Sequence, residues 1–413
     1  MSDNVPSFFQ SLKDYSRSFW VANISELFER IAFYGMTPML VLYLTECRGF
    51  SNTTAIRIGG NFGMATYGLA ALSGFVADFL GYRRAMICAY AILTAGYFLT
   101  GQATNYVAIL GSLLMVAVGA SLIKPIVTGT VQKSCSDVQR SVGFSIYYTL
   151  VNTGGFIGPI VTAKVRESLG VGKVFACSAT ATTLALLLTL ILYSEPPQED
   201  SAAAKRTLSD FLGDFCRVVT DTKMMLLFLF VAGWWSMFFQ FMNVLPLYLR
   251  DDLKVSGWLL GFIPALDAGA IICLQVAVGH LVRDLKPFSA ILFAIVLSSV
   301  GVAIMGLHPS VVLAGLGVVV FALGEMTYSA HFYHYLGNIA PPGQVGMYMG
   351  FAFLPIAVGS FISGQIGGPI STYFRESIKS PQLMWFAFAA VGMASAFGLY
   401  LLTRLSGSKD PAE

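Results

Sequence analysis

Gly74-Phe-Val-Ala-Asp78-Phe-Leu-Gly81-Tyr-Arg83-Arg84 separates two long apolar runs, and the fold turns on how that link is read. Gly74 lets helices approach closely, Gly81 permits a tight turn, and Asp78 can pair with a basic residue or cap a neighbouring helix. Arg83 and Arg84 mark the polar side of the link. A bilayer core needs about 20 apolar residues per crossing, so a turn this short between two such runs describes two antiparallel membrane helices.

The same pattern extends in both directions. Twelve spans are predicted, at 18–45, 57–80, 84–103, 106–131, 141–164, 173–193, 224–249, 256–282, 287–306, 310–338, 345–373 and 383–404. Of 413 residues, 56% are hydrophobic and 11% charged, with a mean hydropathy of +0.70. Soluble domains carry about 25% charged residues, so most of this surface cannot face water. The expected architecture is an all-α integral membrane protein. It has a six-helix bundle over 1–193, a cytoplasmic linker over 194–223 that includes Ser194-Glu-Pro-Pro-Gln-Glu-Asp-Ser-Ala-Ala-Ala-Lys205-Arg206, and a second six-helix bundle over 224–413.

The beginning of the chain lacks a basic region, an apolar core and a cleavage site, and reads as a cytoplasmic amphipathic lead-in. The six cysteines are scattered without disulfide or zinc spacing, and the net charge of +3 does not point to nucleic acid. With the N-terminus inside, 14 Lys and Arg fall in cytoplasmic segments and nine outside, so both termini are expected in the cytoplasm.

The 74–84 stretch matches the GxxxDxxGxRR signature and resembles the major facilitator superfamily. That resemblance implies twelve helices in two pseudosymmetric halves and a cytoplasmic latch formed by Gly74, Asp78, Gly81, Arg83 and Arg84. The corresponding stretch of the second half, Gly279-His-Leu-Val-Arg283-Asp284-Leu-Lys286, is degenerate, so any second latch there is expected to be weaker.

Six ionisable residues stand out inside the spans: Glu26, Glu29 and Arg30 in the first, Lys124 in the fourth, Asp267 in the eighth and Glu325 in the tenth. Each costs at least about 2.5 kcal/mol at the bilayer centre and needs a reason to be there. The first three stand at i, i+3 and i+4, hence on one helical face. Glu26 lies nine residues after Arg17 and Lys124 nine before Lys133, which puts both at a depth of about 14 Å at 1.5 Å per residue. Glu26 or Glu29 is therefore placed to meet Lys124 across the bundle.

Four stretches add a closer resemblance. Glu26-Leu-Phe-Glu29-Arg30-Ile-Ala-Phe-Tyr34-Gly35 is similar to the ExxERFxxYG motif of the proton-dependent oligopeptide transporters. Gly119-Ala-Ser-Leu-Ile-Lys124-Pro125, Phe144-Ser-Ile-Tyr147-Tyr148-Thr-Leu-Val-Asn152-Thr-Gly154, and Gly324-Glu325 with Ala340-Pro341 resemble three further signatures of that family. The resemblance implies that Glu26, Glu29 and Arg30 couple proton binding to gating, with Lys124 as their charge partner. It also implies that Glu325 faces a substrate amino group or relays the proton, and that Tyr34, Tyr67, Asn152 and Gln240 line a central cavity. Thr37 stands where the family commonly has an arginine that clamps a peptide carboxylate, so substrate recognition is expected to differ.

Outside that resemblance, Asp267 reads as a second proton or cation site, as a partner for a substrate amine, or as a buried hydrogen-bonded aspartate. His331 and His334 read as structural, and Trp234-Trp235 as substrate-stacking or packing aromatics. The functional expectation is proton-coupled symport of a small zwitterionic or cationic solute, short peptides first. The alternative is a proton-antiporting exporter of drugs or secreted metabolites. No nucleophile–base pair, metal spacing or nucleotide loop suggests an enzyme, and the proton gradient stands in place of a cofactor. The partners expected are substrate, protons and lipid, for a monomer in the plasma membrane (the inner membrane in a bacterium).

Overall fold

The computed structural model describes residues 15–196, 213, 218–339 and 349–405, apart from the side chains at 71, 72, 74–78, 137, 138, 330, 339 and 405. Twelve long helices follow one another within that range. They are α1 (Arg17–Glu46), α2 (Asn52–Leu80), α3 (Tyr82–Gln102), α4 (Tyr106–Ser134), α5 (Asp137–Leu169), α6 (Lys173–Leu192), α7 (Thr222–Asn243), α8 (Leu259–Val282), α9 (Pro287–Leu307), α10 (Val311–Ile339), α11 (Phe353–Glu376) and α12 (Met384–Leu405). Ten of the twelve are long and apolar enough to cross a membrane; α2 and α5, the others, are 29 and 33 residues long. The expected spans recur as helices. The start expected for the eleventh, at 345, and most of the 194–223 linker lie outside the described residues.

Local chemistry sets the ends. Ser16, Asn105 and Asp221 accept hydrogen bonds from backbone N–H groups of the first turns of α1, α4 and α7. Prolines 38, 125, 159, 264 and 369 sit inside helices, as packed membrane helices tolerate. Beyond α7 a short helical stretch runs into a π-helical turn, Tyr248–Asp252, which carries Arg250 towards the neighbouring helices.

Helices α1 to α6 pack mainly among themselves, as do α7 to α12, and two seams join the sets: α2 against α11 and α5 against α8. Both seams depend on glycine. A Cβ on Gly60 would overlap the backbone of Gly364, and one on Gly261 would overlap the Pro159 carbonyl. The α2–α11 seam also carries hydrogen bonds from Ser360 Oγ to the Gly60 carbonyl at 3.0 Å and between Thr53 and Thr372 at 3.1 Å.

Candidate functional site

The seams close the molecule at the end that carries Glu46, the last residue of α1. Arg250 bonds Glu46 Oε1 at 3.0 Å and Thr45 Oγ1 at 2.9 Å, Arg166 of α5 reaches the same Glu46 oxygen at 2.6 Å, and Asn52 bonds Asp251 at 3.3 Å. Arg375 of α11 pairs with Asp252 at 2.6 Å. The Arg250 bonds to Glu46 and Thr45 and the Asn52–Asp251 bond tie the first six helices to the α7–α8 connection, while Arg166 and Arg375 brace each side within its own set.

Three adjoining cavities lie deeper in the bundle. The first is lined by Tyr34, Thr37, Tyr67, Phe238, Phe239 and Asn243, among others. The second is bordered by Tyr34, Asn152, Phe238, Met242, Asp267 and Glu325. The third is lined by Arg30, Phe33, Tyr67, Lys124 and Phe353. Tyr34 is shared by the first and second, Phe33 and Tyr67 by the first and third.

On the α1 side, Arg30 gathers both glutamates. Its Nε lies 3.3 Å from Glu26 Oε1 and closer still to Glu29 Oε2, with all three side chains buried. The i, i+4 spacing places Glu26 within reach of the guanidinium, which also turns across to Glu29, its neighbour in sequence. Tyr147 of α5 donates to Glu26 Oε1 at 3.4 Å, while Glu26 Oε2 and Glu29 Oε1 are buried without hydrogen-bond partners. The Arg30 guanidinium also lies 5.4 Å from the Phe33 ring and 5.7 Å from the Tyr34 ring.

Lys124 does not meet Glu26 or Glu29, contrary to the expectation from depth. Arg30 already occupies both carboxylates, and the Lys124 ammonium sits 5.1 Å from the Phe353 ring of α11, in the facing set of helices. Equal depth did not fix the direction in which the side chain points.

On the opposite side, Asp267 of α8 and Glu325 of α10 border the second cavity together, with their carboxyl groups within hydrogen-bonding reach of each other. Asp267 is 8% exposed, and apart from the other carboxyl no group among the described residues partners Asp267 Oδ1 or Glu325 Oε2. Asn152 turns its amide to the Tyr148 carbonyl at 2.9 Å, and Thr37 donates to the Phe33 carbonyl at 2.6 Å, so its hydroxyl does not replace a carboxylate clamp.

Gln240, expected to line the central cavity, is not among the residues that border these three cavities. It is 1% exposed and packs against α11, its Nε2 3.5 Å from the Ser363 carbonyl. Asn243, one turn on, lines the first cavity and bonds Ser363 Oγ at 3.2 Å; the polar Gln240–Asn243 spacing was the available signal for it. His331 directs Nδ1 to the Thr327 carbonyl at 2.9 Å, and Trp234 stacks on Tyr328 and Phe321, so both serve packing.

At the α2–α3 turn, Gly81 adopts φ +79°, a backbone conformation that favours glycine. Glu195, just beyond α6, accepts from the N–H groups of Tyr82 at 2.7 Å and Arg83 at 2.9 Å, and Arg83 binds the Tyr193 and Leu190 carbonyls at 3.0 Å each. Arg83 is thus engaged within its own set of helices, and Arg84 is exposed. The side chain of Asp78 and the surroundings of Gly74 lie outside the described residues, as does Ala340-Pro341.

Similar proteins were found at three levels. A Dipeptide and tripeptide permease B of Photorhabdus asymbiotica is 28% identical over 43% of this chain and 36% of its own length. A Dipeptide and tripeptide permease A of Chromobacterium violaceum is 25% identical over 68% of this chain and 57% of its own length. The matched stretch therefore spans from about a third to just over half of these relatives. Multidrug resistance protein MdtH of Aeromonas salmonicida is 21% identical over 91% of this chain and 93% of its own. Among solved structures, a peptide transporter crystallised with sulfate superimposes with a TM-score of 0.77 at 20% identity, covering 95% of this chain and 94% of its own. A POT family transporter with 5-aminolevulinic acid gives 0.76 at 18% identity, covering 96% and 99%. Residues 23–364 match the profile described as Major Facilitator Superfamily, and with twelve helices in this arrangement the chain belongs to that superfamily.

Proposed function

We propose that this chain is a secondary active transporter that uses an inward proton gradient to take up a small zwitterionic or cationic solute by alternating access, short peptides being the first choice. The observation that carries this reading is the buried Glu26–Glu29–Arg30 cluster. Two carboxylates share one guanidinium, one oxygen on each is unpartnered, and the cavity beside them holds Lys124 free of any carboxylate within 4 Å among the described residues. A proton arriving on Glu26 or Glu29 would loosen the hold on Arg30 and change the balance of charge facing Lys124. Because Lys124 touches Phe353 of the facing helices, that change reaches the interface on which alternating access depends.

Tyr34, Tyr67 and Asn152 line the solute cavity in this reading, and Glu325 receives the solute's amino group. The seal at Glu46, Arg166 and Arg250 then faces outward, both termini lie in the cytoplasm, and the protein works as a monomer in the plasma membrane. The similar permeases and peptide transporters support the solute class. The near full-length match to a multidrug resistance protein supports a second reading, proton-antiporting export.

Purified protein in liposomes with an internal pH dye separates the two. Dialanine added under an inward proton gradient is expected to acidify the lumen in the wild type, and not in Glu29→Gln or Lys124→Ala. Absence of a peptide response, together with proton-driven counterflow of a cationic drug, would replace uptake with export.

A further inference from the structure

The second cavity differs from the third in its charge. Asp267 and Glu325 bring two carboxyls into it, and among the described residues no Lys, Arg or His lines it. The groups facing Glu325 from the packed helices are phenols: Tyr34 of α1, Tyr67 of α2, and Tyr328 and Tyr333 of α10. From α5 comes the Asn152 amide, and from α7 the Phe238 ring and the Met242 thioether. His331 is turned to its own helix. Two adjacent carboxyls in such surroundings cannot both stay ionised without a cation between them. One oxygen of each, Asp267 Oδ1 and Glu325 Oε2, is buried and unpartnered, and Asp267 is more than nine-tenths buried. Apart from the other carboxyl of the pair, nothing among the described residues donates to these two oxygens.

We propose that Asp267 and Glu325 act together as one cation site that takes the ammonium group of the solute, and that the solute needs no carboxylate to be held there. The inference rests on the reading of Glu325 as the amine receptor and adds Asp267 to it. With one proton between them the two carboxyls carry a single negative charge, and one ammonium makes the site neutral. The shared proton stays between the oxygens, and the ammonium N–H groups reach the free acceptors, so no bond to carbon is made or broken. The aromatic wall of Tyr34 and Phe238 suits the organic part of such a cation. Thr37 spends its hydroxyl on its own helix, and no cation lines this cavity to hold a carboxylate. The solute class is therefore amines, including those whose acid end is blocked.

Binding to purified protein in detergent tests this with four probes: dialanine, dialanine amide, N-acetyl-dialanine and phenethylammonium. The amide and phenethylammonium are expected to bind, the amide within about threefold of dialanine, and N-acetyl-dialanine at least about thirtyfold more weakly. Because either carboxylate alone can carry the single charge, Asp267→Asn and Glu325→Gln are each expected to lose less than about tenfold, and the double variant at least about a hundredfold. Loss in Glu325→Gln as complete as in the double variant would remove Asp267 from the site and overturn the proposal. So would failure of the wild type to bind both the amide and phenethylammonium, a comparison that needs no variant to fold. If phenethylammonium binds through the pair while dialanine is neither bound nor transported, the cation site stands and the peptide reading falls. If dialanine is transported but its amide does not bind, the peptide reading stands and this proposal falls.

Discussion

The two sides of the central cavities hold the same number of carboxylates and treat them differently. On α1, Glu26 and Glu29 are answered by Arg30 from within the same helical turn, and Lys124 stands in the same cavity. On α8 and α10, Asp267 and Glu325 face each other, and no basic residue lines their cavity. A cluster that contains its own counter-ion can survive an empty cavity and respond to one added proton. A pair without one is incomplete until a cation arrives. In the reading proposed above, energy coupling falls to the first side and recognition to the second, and that division can be broken from either direction.

The largest effect is expected from removing the counter-ion on the coupling side. Arg30→Met leaves two buried carboxylates uncompensated, and taking one partner from a buried ion pair costs about 3–5 kcal/mol. The variant should show a clearly lowered unfolding midpoint in detergent and no proton-driven uptake. Adding Glu29→Gln should recover part of the stability, because one carboxylate fewer is left unpaired. A wild-type midpoint in Arg30→Met would mean that Arg30 is not what makes those carboxylates tolerable.

The converse experiment supplies a counter-ion to the recognition side. Asn152 borders the cavity of Asp267 and Glu325, and its amide bonds only its own helix. In Asn152→Lys the new ammonium can reach the carboxyl pair and make that side resemble the other. Phenethylammonium binding should fall by at least about tenfold, equivalent to 1.4 kcal/mol, with little change in the unfolding midpoint. Unchanged binding would show that the pair is not the receptor.

Much of this arrangement was readable from the chain and some was not, for reasons that belong to particular residues. Apolar runs located the helices because lipid leaves the backbone no alternative to pairing with itself. Their ends were blurred where polar caps extend them: α5 begins at Asp137 rather than 141, where Gln139 accepts from the Ser136 N–H, and runs on to Leu169. The Glu26–Arg30 pairing followed from spacing on one helix. The Lys124 contact did not, since counting residues gives depth but no azimuth, and Arg30 was nearer to both carboxylates. Gln240 and Asn243, less than a turn apart, both reach Ser363 of α11, and Asn243 also borders the first cavity, a distinction that spacing alone does not make. Neighbours of Asp267 and Glu325 are distant in sequence, so their adjacency depended on how α8 packs on α10.

The smallest effect is expected where charges are numerous but not deeply buried, at the sealed end. Arg250→Gln removes the bonds to Glu46 and Thr45 and the ion pair with Asp251, yet Glu46 keeps Arg166 at 2.6 Å, and Asp251 keeps its bond from Asn52. Partly exposed pairs contribute about 0.2–1 kcal/mol, and salt weakens them. Helix contacts through Gly60 with Gly364 and Gly261 with Pro159 remain to hold the seams. The unfolding midpoint of Arg250→Gln should therefore fall only slightly at low salt and converge with the wild type near 1 M salt, whereas the deficit of Arg30→Met should persist, because salt does not reach a buried cluster. A large, salt-insensitive loss in Arg250→Gln would place the sealed end in the same energetic class as the α1 cluster and make the outer ion pairs, rather than the glycine seams, the principal clasp between the two sets of helices.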